Sequence, residues 1–148
     1  FFWIAAYGVF ERFPLLGVGL GNSGFLIPEE MPAFAWAAPE VLNVLRAGTE
    51  FFPNPKALWF RLLAETGIVG FVVFAVWLLV MKLRALSLSI RDTQPGRVIG
   101  VMGLLAMVSL LTEGFSVDSF AFPYLWVTLG LVTAAGWTTR RQARVESE

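Results

Sequence analysis

A run of sixteen uncharged, mostly apolar residues at positions 66–81 constrains the fold of this chain more than any other feature. Two further charge-free windows follow at positions 98–112 and 119–139. A helix needs about 20 residues to cross the hydrocarbon core of a bilayer, and flanking residues extend the shorter windows to that length. The sequence therefore predicts an all-α, integral membrane helical bundle with three transmembrane helices, at about residues 57–83, 97–113 and 119–139.

Composition favours a membrane protein over a soluble one. The chain is 57% hydrophobic, its mean hydropathy is +0.70, and it has eleven basic and eleven acidic residues among 148. Buried helices of a soluble protein are the alternative, but three such helices leave too little polar surface to cover them. A net charge of zero gives no reason to expect nucleic acid. Because the chain lacks His and Cys, we expect no metal and no cofactor.

The distribution of basic residues predicts the orientation of the helices. The loop after the first span and the tail at residues 140–148 are rich in Lys and Arg, whereas the short connection between spans two and three holds only acidic charges. Basic loops face the cytoplasm. We therefore expect residues 1–65 on the outer face of the plasma (inner) membrane and the tail in the cytoplasm.

The outer segment, residues 1–65, contains six of the eight prolines of the chain, together with many aromatic residues. Prolines prevent long regular elements, and aromatic side chains suit the lipid headgroup region. A short interfacial helix is predicted at residues 39–47, because Pro is favoured at helix starts and Gly just after helix ends. The face predicted to lie on the membrane contains Val41, Leu42, Val44 and Leu45.

The sequence GLGNSG at positions 19–24 matches the dinucleotide-binding pattern GxGxxG. That pattern requires a helix directly after the last glycine, and the prolines that follow exclude it. We therefore reject a cofactor site. The residues Gly17, Gly19, Gly21 and Asn22 instead predict a tight loop whose backbone approaches another surface closely. The backbone amides of this loop could also bind an anion. The alternative is that the loop forms a simple turn without a ligand.

Arg61 and Glu65 lie one helical turn apart and are the candidate catalytic residues. A weak intrahelical ion pair is the alternative, but ionisable residues near lipid are more often functional. Asn54 is predicted to cap the first long helix, which places Lys56 in its first turn, where the helix dipole disfavours a cation. An anionic partner would explain this lysine, and simple hydration is the alternative. Arg12 adds a planar donor that suits diphosphates.

Two segments resemble the O-antigen ligase and polymerase family of multi-spanning membrane glycosyltransferases. They are RFPLLGVGLGNSGF at positions 12–25 and PNPKALWFRLLAETGIVGF at positions 53–71. The family pattern has a Trp-bearing helix, then PLLGVGxGN, an outer loop, and a segment like HNxxLxxLxExGxxG entering a transmembrane helix. The matching positions are Trp3, residues 14–22, Asn54, Leu58, Leu62, Glu65, Gly67 and Gly70.

The resemblance covers about the first eighty residues, and the last two spans match only in number and topology. The histidine that many ligases carry before the Asn is Pro53 here, so the resemblance does not imply base catalysis by histidine. Some polymerase-like members of the family have a segment similar to PNPK at positions 53–56, which favours a polymerase over a ligase for this chain. Since the chain begins without an initiator Met or signal-peptide features, we expect it to be an internal or C-terminal part of a larger membrane protein.

The resemblance implies an enzyme that takes a glycan from a polyprenyl-diphosphate carrier at the outer face and joins it to a glycan acceptor, without a metal. Arg12, Lys56 and Asn54 would bind the diphosphate and glycan, and Arg61 and Glu65 would act in catalysis. The alternative is a non-enzymatic membrane module, either a transporter or a scaffold segment whose outer loop binds a partner. Transporters usually place ionisable residues at the bilayer midplane, and the three spans lack them there, which disfavours ion-coupled transport.

Overall fold

The computed structural model describes residues 1–45, 53–90, 94–117 and 120–145, with side chains described up to residue 137. Within these ranges the chain is all-helical and contains no strand. Its α-helices are α1 (Phe2–Arg12), α2 (Ser23–Leu26), α3 (Pro39–Leu45), α4 (Leu58–Ser89), α5 (Gln94–Glu113) and α6 (Pro123–Val145), and a 3₁₀ helix (Ala33–Ala37) precedes α3. The predicted all-α class is confirmed.

The helices form two compact units. Unit 1 comprises Phe1–Phe74 and Gly114–Phe120, and unit 2 comprises Ala75–Glu113 and Ala121–Glu148. The proline-rich outer segment predicted from the sequence therefore folds together with the first part of α4.

The core of unit 1 is built around α1. The buried residues of this helix are spaced at three- and four-residue intervals, which places them on one face. They are Phe2, Ala5, Ala6 and Val9. One cluster joins Phe2 and Ala5 to Ile27, Met31, Ala35 and Val41, and a second joins Ala6 and Val9 to Ala64 of α4.

Helix α3 contributes to this core. It begins at Pro39, as predicted, and extends to Leu45; the rest of the predicted helix at 39–47 lies outside the described residues. Val41 is fully buried, and Val44 and Leu45 pack against the same cluster. The apolar face predicted to lie on a membrane is therefore covered by α1 and its neighbours instead, and Leu42 alone of that set remains well exposed.

The start of α4 differs from the prediction. Asn54 closes a turn, because its Oδ1 accepts a hydrogen bond from the backbone N–H of Lys56 (3.1 Å), which has φ 53°. The helix begins at Leu58, whose N–H donates to the carbonyl oxygens of Gly114 (2.8 Å) and Val117 (3.0 Å). The prediction that Asn54 caps α4 is wrong, because the carbonyl oxygens of Gly114 and Val117 accept the hydrogen bond of the first helical amide. Lys56 lies before the helix and not in its first turn.

Gly67 interrupts α4. Its backbone angles, φ 63° and ψ −169°, are not helical. A Cβ at this position would lie 2.3 Å from the carbonyl oxygen of Leu15, so both conformation and space require glycine. The prediction of an unbroken helix is wrong: α4 consists of two helical segments, and the second, residues 68–89, carries most of the apolar run.

Small residues allow the helices of unit 2 to pack closely. A Cβ on Gly100 of α5 would lie 2.4 Å from the backbone nitrogen of Ser89 and 2.6 Å from the carbonyl oxygen of Ala85, both in α4. A Cβ on Gly103 would lie 2.6 Å from Cγ2 of Val132 in α6. Glycine at such contacts is typical of helices that associate in membranes.

Within the described part of the chain, α4 and α5 are long and apolar enough to cross a membrane, with mean hydropathies of 2.2 and 1.6. These apolar windows are only 17% and 28% buried within the chain, unlike the buried core helix of a soluble protein. The third span predicted at 119–139 is not among them. Helix α6 is long enough, at 23 residues, but Thr and Gly residues interrupt its apolar part and three arginines lie in its last turns, so it is less apolar than α4 and α5.

Candidate functional site

The glycine loop packs onto α4 at the point where Gly67 interrupts the helix. We call this contact, formed by residues 14–23 and 61–69, the loop–helix junction. Four backbone hydrogen bonds join its two sides: Val18 N–H to Ala64 O (3.0 Å), Gly19 N–H to Glu65 O (2.8 Å), Ile68 N–H to Pro14 O (2.8 Å) and Val69 N–H to Leu15 O (3.3 Å). The two segments that carry the family resemblance therefore form a single structural element.

The junction depends on glycine at its closest contact. Gly17, Gly19 and Gly21 all have positive φ angles, of 65°, 89° and 80°. A Cβ on Gly17 would lie 2.4 Å from the carbonyl carbon of Glu65, whereas a Cβ on Gly21 would have no neighbour within 4 Å. The close backbone approach expected of this loop is thus observed at Gly17, while Gly21 serves the turn alone.

The amides of the loop are used within the chain. The N–H of Gly17 donates to the carbonyl oxygen of Phe13 (3.1 Å), and those of Val18 and Gly19 donate to α4. The side-chain amide of Asn22 donates to the carbonyl oxygen of Val18 (3.0 Å) and closes the turn. The amides of Val18 and Gly19 therefore hold α4, whereas those of Gly17 and Asn22 stabilise the loop itself. The described residues before the loop form no strand of a dinucleotide-binding unit.

A buried carboxylate lies at the centre of the junction. The Glu65 side chain is only 4% exposed, and its Oε1 accepts hydrogen bonds from the hydroxyl of Ser23 (2.8 Å) and from Nε of Arg61 (3.1 Å). Burial of a carboxylate is costly unless it is paired and hydrogen-bonded, and these two donors meet that requirement. The intrahelical ion pair, which was the alternative to a catalytic role for Arg61 and Glu65, is therefore present, in a largely buried setting.

Ser23 is a site residue that the sequence did not reveal. It is 2% exposed and reaches Glu65 only because the glycine loop packs on α4. In the sequence, only its place at the end of the glycine loop marks Ser23. Its contact with Glu65, 42 residues later, does not follow from any local sequence pattern. Together, Ser23, Glu65 and Arg61 connect the loop to the helix through side chains as well as through backbone.

Arg61 connects the buried carboxylate to the surface. Its side chain is 32% exposed while its Nε remains bonded to Glu65. A guanidinium held on one side by a buried acid keeps a defined orientation. Of the three predicted cations, Arg61 is the one that a buried carboxylate holds in place.

The two other predicted cations are paired with acidic residues of unit 1. Arg12 Nη1 lies 2.9 Å from Glu29 and 3.6 Å from Glu30, and its side chain is about half exposed. The helix-dipole reason for expecting an anionic partner of Lys56 does not apply, because this residue lies before α4. Lys56 hydrogen-bonds to the carboxylate of Glu40. That hydrogen bond and the charge of the lysine lower the pKa of Glu40. None of these acidic partners was predicted, because all lie on other parts of the chain.

Aromatic residues pack around the first turn of α4. Trp3 of α1 stacks on Phe60, with ring centroids 5.4 Å apart, and Trp59 packs against Phe74 and Phe115. The indole N–H of Trp59 is buried and has no hydrogen-bond partner among the described residues. An unpaired buried donor of this kind costs about 1–3 kcal/mol.

The fold and the junction define an all-helical protein in which a buried acid and an arginine stand at the start of an apolar helix. Among the described residues, no group of three acidic, His or Cys side chains could hold a metal ion. Comparisons with protein-family models, with curated proteins and with solved structures find no match to this chain.

Proposed function

We propose that the protein transfers or polymerises glycan units from a polyprenyl-diphosphate-linked donor at the outer face of the plasma membrane. The observation that supports this most is the loop–helix junction. The two segments that resemble the O-antigen ligase and polymerase family are joined there by four backbone hydrogen bonds and enclose Glu65 with Arg61. The proposal thus rests on residues that are brought together from distant parts of the sequence.

In this proposal Arg61 stabilises the leaving group. The acceptor hydroxyl attacks the anomeric carbon, the bond from that carbon to the diphosphate oxygen breaks, and the electrons pass to the diphosphate. Because negative charge develops on the leaving oxygen, a guanidinium placed there lowers the barrier. The 32% exposure of the Arg61 side chain and its place just before the apolar segment suit a lipid-linked diphosphate.

Glu65 acts in this proposal by positioning Arg61. At 4% exposure its carboxylate is poorly placed to contact an acceptor sugar, whereas its Oε1 directly holds Nε of Arg61. A diphosphate is already a good leaving group, so the acceptor hydroxyl needs little help from a base, and its proton passes to solvent or to a phosphate oxygen.

Arg12, Lys56 and Asn54 are proposed to bind the diphosphate and the glycan. All three are exposed, and both cations now contact carboxylates. Exposed ion pairs contribute little stability, so phosphate oxygens could replace Glu29 or Glu40 as partners at small cost. Binding of the donor would therefore exchange one anionic partner for another.

The experiment uses the full-length protein in membranes supplied with a polyprenyl-diphosphate-linked glycan. The variant Arg61→Ala should lose glycan product. Arg61→Lys keeps a cation beside the buried Glu65, so it should lose most of the product while its amount in the membrane stays normal. Arg97→Ala, which removes an exposed arginine at the start of α5, is the matched control and should retain product. Full product formation by Arg61→Ala would refute the proposed role.

A transporter or scaffold module is the second candidate, and the break in α4 favours it, since interrupted helices form substrate sites in many transporters. The two candidates differ in the fate of the donor. Glycosyl transfer releases one polyprenyl diphosphate for each bond formed, whereas transport or binding leaves the donor intact. Measurement of free polyprenyl diphosphate in the same assay therefore separates them.

A further inference from the structure

Unit 2 contains a groove of about 950 Å³ between the second segment of α4 and α6. On the α4 side, the lining residues recur every three or four positions and so share one face. They are Trp77, Met81, Arg84, Ser87 and Leu88. On the α6 side, Trp126, Leu129 and Trp137 alternate with small residues, among them Gly130 and Ala134, that leave the space open.

The contacts along the groove show its direction. The rings of Trp77 and Trp126 are 5.9 Å apart, and the Thr133 hydroxyl lies 3.7 Å from the sulfur of Met81. Both helices therefore advance in the same direction, from the paired tryptophans towards Arg84. From Trp77 to Leu88 the groove follows about 16 Å of helix, which is close to half of a 30 Å hydrocarbon core. Its length suits one leaflet of a membrane.

Among the residues that the structure describes, Arg84 is the only charged one that lines the groove. It is partly buried, and no carboxylate pairs with it among the residues that the structure describes. The three cations of the proposed site in unit 1 all have such partners. A partly buried guanidinium gains most from an anion that approaches along the groove.

Further positive charge lies at the same end of unit 2. Lys82 precedes Arg84 by half a turn. Arg97 lies in the first turn of α5, whose Gly100 packs on Ala85 and Ser89. Basic residues at one end of a set of apolar helices attract anionic lipids, and pockets between such helices bind their headgroups. The charge pattern and the shape of the groove thus favour the same class of ligand.

We propose that this groove binds one anionic phospholipid, with its phosphate at Arg84 and an acyl chain extending towards Trp77 and Trp126. An apolar helix in the groove would leave the charge of Arg84 without an anion, and a long polyprenyl chain would exceed a groove of one-leaflet length. The site is independent of the proposed glycosyl transfer.

Native mass spectrometry of the full-length protein, with phosphatidylglycerol or phosphatidylcholine of identical acyl chains, tests the proposal. The wild type should retain phosphatidylglycerol preferentially. Arg84→Ala should weaken that binding at least tenfold, the effect of about 1.4 kcal/mol. Lys82→Ala removes a neighbouring exposed cation that does not line the groove, and it should weaken binding less than Arg84→Ala does.

A second variant tests the groove without changing charge. A Cβ on Gly130 would meet no atom within 4 Å, so Gly130→Leu should fold normally and obstruct the groove. It should reduce retention of phosphatidylglycerol as strongly as Arg84→Ala does. Equal retention of the two lipids by the wild type, unchanged retention by both variants, or tighter binding of a polyprenyl phosphate would overturn the proposal.

Discussion

The backbone N–H of Gly19 donates a 2.8 Å hydrogen bond to the carbonyl oxygen of Glu65, which in an unbroken helix would accept from Val69. Val69 instead donates to the carbonyl oxygen of Leu15. The loop thus inserts one donor and one acceptor into the interrupted helix, and each group of the broken bond finds a new partner. The interruption at Gly67 therefore leaves no backbone group of this pair unsatisfied.

Two glycines of the loop should differ in their tolerance of alanine. Gly21→Ala introduces only the strain of a left-handed backbone, about 1–2 kcal/mol. Gly17→Ala adds a contact of 2.4 Å with the backbone of Glu65 and should cost more than about 3 kcal/mol. Thermal unfolding of the purified protein in detergent measures both. Equal destabilisation by the two variants would contradict the close contact at Gly17.

The hydrogen bond between Ser23 and Glu65 should contribute to stability. Ser23→Ala removes one of the two donors to a buried carboxylate, at an expected cost of about 1–3 kcal/mol. In a double-mutant cycle with Glu65→Gln, the two changes should show a coupling energy above about 0.5 kcal/mol. Additive effects would show that the two side chains do not interact.

The packing of α5 on α4 should depend on Gly100. Gly100→Ala places a methyl group within 2.6 Å of the backbone of α4 and should separate the helices, lowering the unfolding temperature and the yield of folded protein. Gly136→Ala is the matched control in α6, because a Cβ there has no neighbour within 4 Å. It should be neutral, or stabilising by up to about 1 kcal/mol through helix propensity.

The ion pair of Lys56 with Glu40 should make a small, pH-dependent contribution to stability. The lysine lowers the pKa of Glu40 in the folded protein. The stabilisation is therefore present above the unfolded pKa of about 4.3 and is lost as the pH falls through the lower folded value. Both side chains are about half exposed, so the effect is small.

Unfolding temperatures of the wild type and Glu40→Gln, compared from pH 7 down to pH 3, test this expectation. The wild type should be slightly more stable near neutral pH, and the difference should vanish at the acidic end. A difference that grows towards low pH would contradict the direction of the pKa shift.

Part of this fold follows from the sequence alone. The charge-free windows predicted α4 and α5, because apolar side chains without charges favour helices that cross a membrane. Spacing of one helical turn predicted the Arg61–Glu65 pair, which is observed. Glycine and Asn predicted the tight loop. Each of these signals is local, contained within a few helical turns.

Other features depend on contacts between distant residues, and the sequence does not predict them. The break at Gly67 requires the carbonyl of Leu15, and a single glycine in an apolar helix carries no such information. The same holds for Ser23 at Glu65 and for Glu40 at Lys56. The third span was overestimated because the window at 119–139 was judged by its lack of charge, whereas its Thr and Gly residues make α6 less apolar than α4 and α5.

The first amide of α4 has a consequence for the order in which the chain folds. The N–H of Leu58 is bound by the carbonyl oxygens of Gly114 and Val117, which come after α5. During synthesis from the N-terminus, this bond cannot form until α5 has been translated. The beginning of the first long helix is therefore completed only after the second has emerged from the ribosome.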